Sequence, residues 1–103
     1  MILVMGHAKL APGEIDRLLA AMQTQLEATR AEEGCIHYSF SRDVLDPDTL
    51  RIAEQWRDWD AIAAHSTSAH MKAFNQEMGK AKLLEIKVTG YGPDGEVRVL
   101  IGG

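Results

Sequence analysis

Cysteine is nearly absent from this 103-residue chain: Cys35 stands alone. That excludes an internal disulfide and any all-cysteine metal site. Proline is scarce at three residues, and no Pro- or Ser-rich linker divides the sequence, so residues 1–103 read as one domain. No apolar run approaches the roughly 18 residues a membrane span needs. Basic charge is short as well, with 11 Lys and Arg against 15 Asp and Glu and a net charge of −4. Lys72, Lys80, Lys82 and Lys87 are the nearest thing to a basic patch, and Glu77 and Glu85 interrupt it. Neither nucleic acid nor membrane is therefore an expected partner. The apolar opening Met1–Met5 gives way to His7 and Lys9 and is too short for a secretory leader, so a cytoplasmic protein is expected. A Gly-rich phosphate loop, a nucleotide fingerprint, a serine elbow and a metal quartet are also missing.

What is present is a patterned apolar content of 46%, too high for a disordered chain. Folding at this length buries roughly 60–68% of the surface that the unfolded chain exposes. Such a core is thin, and a subunit partner would help it.

Residues 1–10 read as a strand in which Ile2, Val4 and Ala8 alternate with Leu3, Met5 and His7, leaving both faces apolar. Pro12-Gly13 breaks the chain, and a helix is expected to about Glu33. Its stripe is Ile15, Leu18, Leu19, Met22 and Leu26, with Gly34 as a left-handed stop. Residues 35–43 and Thr49–Arg57 form an antiparallel hairpin about Asp46-Pro47-Asp48. Asp58 caps a short helix to about His65, and Ser66-Thr67-Ser68 re-caps a second run reaching Lys82. Leu84, Ile86 and Val88 mark a fourth strand. Beyond it, Gly92-Pro93-Asp94-Gly95 turns the chain into a strand extension over about residues 91–103. The order β-α-β-β-α-β plus one strand is an α+β, ferredoxin-like split βαβ arrangement with helices on one face of an antiparallel sheet. The other face would stay apolar and bare, so a sheet-on-sheet homodimer is predicted.

Several side chains invite a chemical reading. Asn75 falls inside the stripe Met71, Phe74, Met78, where a buried amide must find partners or line a ligand cavity. His65 lies beside the inward stripe at the junction of two helices, and His70 sits in the first turn of the second, where a helix N-terminus favours neutral imidazole. The plainer reading of either histidine is a surface or boundary residue. His7 is a core histidine or a site residue. The spacing of five between His65 and His70 does not stack on a straight helix, and no acidic residue completes a metal set, so no metal is expected. Glu54 shares a strand face with Ile52 and Trp56 and is expected to form an ion pair at the dimer seam. Tyr38 and Trp56 should pack as a pair, and Trp59 is a candidate cavity wall. Cys35 has no basic activator except His37, which argues against a reactive thiol.

Three segments in order, Glu33-Gly34-Cys35-Ile36-His37-Tyr38, Glu54-Gln55-Trp56-Arg57-Asp58 and His65 through Phe74, resemble the antibiotic biosynthesis monooxygenase family. The resemblance is greatest to its small quinol-monooxygenase-like members and covers residues 1 to about 90. It implies a dimeric α+β barrel that oxidises a phenolic or hydroquinone ring with O₂, without flavin, haem or metal. It further implies His65 as the base, Asn75 as a hydrogen-bond donor and His7 as a second polar contact. Tyr38, Trp56, Trp59, His70 and Phe74 would then border the substrate. Haem-degrading relatives share the fold but carry a histidine where Asn75 stands and an asparagine near His7. A non-catalytic small-molecule-binding or stress-associated module remains a different class, as does an isomerase or lyase acting on aromatic intermediates.

Overall fold

A computed structural model describes residues 1–102. Strand β1 (Ile2–Leu10) leads into helix α1 (Glu14–Arg30), and the hairpin β2 (Cys35–Arg42) and β3 (Thr49–Trp56) follows. Helices α2 (Trp59–Ser66) and α3 (Ala69–Gly79), then strands β4 (Leu83–Tyr91) and β5 (Val97–Ile101), complete the chain, with one 3-10 turn at Pro93–Gly95. The five strands form one antiparallel sheet in the order β2-β3-β1-β4-β5. This is the α+β, ferredoxin-like arrangement read from the sequence. Among the described residues, no helix is long and apolar enough to cross a membrane.

Register decides which side chains share a face. Val4 pairs with Glu54, and Glu54 with Tyr38, so all three lie in one row on the side that carries the helices. Two apolar clusters fill the space beneath the helices, one around Trp56, Ile2 and Val4 and the other around Leu10, Ile15 and Leu18. The opposite face presents Leu3, Met5, Tyr91, Val97 and Val99, all exposed.

The helices differ from expectation in instructive ways. Helix α1 buries Ile15, Leu18, Met22, Gln25 and Thr29, while Leu19 is exposed. The buried stripe thus continues through two polar residues. Helix α1 ends at Arg30, and Gly34 is not its left-handed stop, because its φ is not positive. Gly34 is needed for a different reason: a Cβ there would collide with the Cβ of Ala61 on α2. Asp58 does cap α2, accepting from the Ala61 N–H at 2.9 Å, and Ser68 caps α3. Helix α3 stops at Gly79, three residues before the expected Lys82, with Lys80 as its C-cap. No residue of α3 is buried, because its inner side fronts open space.

Close packing of α2 on Gly34 makes a simple forecast. Gly34→Ala should destabilise the fold by about 1–3 kcal/mol, as overpacking does. Chemical denaturation of the two proteins at one pH checks this, and an unchanged midpoint would count against the contact.

Candidate active site

The space beside α3 is a cavity of about 420 Å³ between that helix and the sheet. Its floor includes Tyr38 and Phe40 of β2, Ile52 and Glu54 of β3, and Val88 of β4. Met71, Phe74 and Met78 of α3 form the roof, and Leu100 and Ile101 of β5 close one side. Phe40 and Phe74 stack across it, with ring centroids 5.9 Å apart and 18° between planes. A mostly apolar hollow with a few convergent polar groups is the usual form of a small-molecule site.

His65 is the most constrained of those polar groups. It is 5% exposed and lies with its ring centroid 4.8 Å from Trp56 and 5.4 Å from Tyr38. Its Nδ1 is 2.7 Å from Glu32 Oε2, and the same oxygen lies 3.0 Å from His70 Nε2. Burial pushes the His65 imidazole below its ordinary range, and the adjacent Glu32 carboxylate only partly offsets this. The ring is therefore neutral at pH 7. A carboxylate can only accept, so Nδ1 carries the proton and Nε2 keeps its lone pair.

Glu54 is the second polar group. Its Oε1 accepts from Trp56 Nε1 at 2.7 Å, and no Lys or Arg pairs with it among the described residues. Burial pushes its carboxyl up to about 7, with the Trp56 bond opposing and the Glu32 charge reinforcing the rise. This corrects the expectation of an ion pair at a dimer seam: the register turns Glu54 toward the helices and into the cavity. Burial likewise raises the Tyr38 hydroxyl, which receives the Gln25 amide N–H at 3.4 Å and stays neutral. Burial also raises the Cys35 thiol, with the charges of Glu32 and Glu54 adding to the effect, in keeping with an unreactive cysteine.

The remaining sequence candidates separate into three groups. Asn75 and Phe74 line the cavity with His65 and Tyr38, but Asn75 is exposed and so stands at its mouth, not on a closed inner face. Trp56, wholly buried, and His70 lie one layer behind, holding Glu54 and Glu32 respectively. His7 and Trp59 are elsewhere. His7 lies on the opposite sheet face, 3.3 Å from Glu85, because it alternates with the inward Ala8. Trp59 donates to Glu96 at 2.8 Å and lies under the Arg98 guanidinium, 4.0 Å from its ring centroid. Glu32 and Glu54 were missed as site residues. The cue for Glu54 was a carboxylate on an apolar strand face, whereas Glu32 gave no local cue.

Glu32, His65 and His70 place their ligand atoms within 4.8 Å of one another and form the set able to hold a metal. That corrects the expectation that no acidic residue joins the histidines. The break between α2 and α3 turns both imidazoles to one side, and the connection before β2 brings the carboxylate. In the present geometry the oxygen is occupied as a shared hydrogen-bond acceptor.

Comparison with known proteins adds a family. The sequence model described as antibiotic biosynthesis monooxygenase matches residues 1–77. An uncharacterised protein of Synechocystis is 33% identical over 84% of this chain, which spans 60% of that longer protein. YcnE of Bacillus subtilis, named as a monooxygenase, is 30% identical over 72% of this chain and 78% of its own. YgiN of Escherichia coli, named as a quinol monooxygenase, is 26% identical over 85% of this chain and 93% of its own. Among solved structures, PA3566 of Pseudomonas aeruginosa superposes with a TM-score of 0.78 at 26% identity, covering 86% of this chain and 89% of its own. Rv0793 of Mycobacterium tuberculosis shares the fold, with a TM-score of 0.80 at 24% identity over 92% of this chain and 96% of its own.

The raised Glu54 carboxyl has a measurable consequence. The folded chain holds this proton more tightly than the unfolded one, so the Glu54 contribution to stability falls as pH rises from 4.5 to about 7 and is flat above. The gap corresponds to about 3 kcal/mol. Glu54→Gln, which cannot ionise, should therefore melt higher than the parent at pH 8, and the difference should shrink toward pH 5. A pH-independent difference would show that the carboxyl is not desolvated.

Proposed function

The chain belongs to the antibiotic biosynthesis monooxygenase family, and on that premise we propose that it is a cofactor-independent monooxygenase of phenolic or hydroquinone-type rings. The observation that carries this reading is a neutral imidazole held in one tautomer at the edge of a mostly apolar, aromatic-lined cavity. An electron-rich ring is enclosed by Phe40, Phe74 and Tyr38. The Nε2 lone pair of His65 takes the proton of a ring hydroxyl, leaving an anion that is easier to oxidise. In the balanced reaction a phenol and O₂ give a quinone and water. One oxygen atom forms a new carbon–oxygen bond, the other leaves as water, and the ring surrenders four electrons. Asn75, at the mouth, supplies an N–H to the developing oxygen anion; its position in the cavity lining supports this role. Glu32 is a positioning residue, since it fixes the His65 tautomer from 2.7 Å without touching the ring.

The bare sheet face supports a second part of the reading, a homodimer. Leu3, Met5, Tyr91, Val97 and Val99 form an exposed apolar band across β1, β4 and β5, which a second copy of the same face would cover. His7, beside that band, belongs to this seam and not to the cavity.

Oxygen uptake with a panel of hydroquinones, run with EDTA and without flavin, tests the activity. The expected result is turnover in the parent, a loss of about 10²-fold or more in His65→Ala, and a smaller loss in Asn75→Ala. Glu32→Gln should lower kcat and shift its pH profile while leaving the melting curve cooperative. Ring binding without oxygen uptake would point instead to a binding module. For the assembly, sedimentation should report twice the 11.4 kDa chain mass, and Met5→Glu should return the monomer. A monomeric parent would remove the seam from the account.

A further inference from the structure

One acceptor in the cavity has nothing to accept from. Glu54 lies on the cavity floor with Val4 on one side and Tyr38 on the other. Oε1 is engaged by the Trp56 N–H at 2.7 Å, while Oε2 makes no hydrogen bond among the described residues. The neighbouring Tyr38 hydroxyl accepts the Gln25 amide N–H at 3.4 Å and makes no hydrogen bond to Glu54. Glu54 lines a mostly apolar hollow with no cation beside it among the described residues, and a ligand donor there lowers the cost of holding a charged carboxylate away from water. Placement matters as much as chemistry. The indole that donates to Glu54 also packs against His65, with ring centroids 4.8 Å apart. Glu54 and His65 thus both contact Trp56 and both line the cavity.

We propose that Glu54 is the specificity-determining residue of this cavity, accepting a hydrogen bond from a second ring hydroxyl while His65 receives the first. The proposal rests on the phenol-oxidising reading above and narrows it. The cavity selects dihydroxy aromatic rings over monohydroxy ones. At pH 8, where Glu54 is ionised and the titrations are run, a hydrogen bond to its carboxylate is stronger than one between neutral groups, and losing it should weaken binding by about tenfold or more.

The decisive experiment measures binding separately from turnover. Hydroquinone and its monomethyl ether are titrated anaerobically into the parent, Glu54→Gln and Glu54→Asp by calorimetry, and oxygen uptake is then recorded in air. In Glu54→Gln the amide oxygen must take the Trp56 N–H, which turns the NH₂ group into the cavity and converts an acceptor into a donor. The parent should bind hydroquinone about tenfold more tightly than the ether. That preference should vanish in Glu54→Gln and survive in part in Glu54→Asp. Equal binding of both rings by the parent, or a preference that persists in Glu54→Gln, overturns the role of Glu54 whatever the oxygen trace shows. A Glu54-dependent preference without oxygen uptake upholds the acceptor and overturns the monooxygenase reading. No binding of either ring overturns both.

Discussion

A single carboxylate oxygen shared between two imidazoles organises the chemistry of this protein. Glu32 Oε2 ties the connection before β2 to α2 through His65 and to α3 through His70. Three segments distant in sequence are thereby held in one arrangement, at the edge of the cavity and out of its apolar interior. Without that oxygen, His65 would have no partner among the described residues to distinguish its two nitrogens. The bond fixes which nitrogen is free, and burial favours the neutral ring.

The same region is poorly optimised for stability. Helix α3 buries none of its residues, since its inner side roofs a hollow and not a packed core. Glu54 is taken out of water without a cation, and burial pushes its carboxyl up to about 7. Gln25 and Thr29 add buried oxygens that lack partners under α1, next to the Tyr38 hydroxyl. Close packing is concentrated elsewhere, in the two apolar clusters and at the contact of Gly34 with Ala61. An unpacked helix and a desolvated carboxylate border the same cavity, and places where packing rules fail together mark candidate functional sites.

Much of the fold was legible in the chain because it depends on local patterns. Alternation marked β1, the turn Asp46-Pro47-Asp48 marked the hairpin, and Asp58 and Ser68 capped their helices as such residues do. Errors fell where a local rule met a long-range contact. Gly34 looked like a helix stop, yet its smallness serves α2, a segment 27 positions away. The resemblance offered His65 as the base and His7 as a second polar contact, but His7 alternates out of the cavity while His65 lines it. Trp59 looked like a cavity wall and instead stacks with Arg98 of a strand whose pairing had no local signature.

Residue order alone determined the α+β class, the placement of most elements and the family, since periodicity, caps and ordered motifs act over a few residues at a time. Tertiary structure decided which acids meet which bases. Strand register set Glu54 in the cavity, and the junction of two helices brought His65 and His70 onto Glu32. Hydrogen bonds and desolvation depend on distances of a few ångströms between segments some thirty residues apart, and no local pattern encodes those distances.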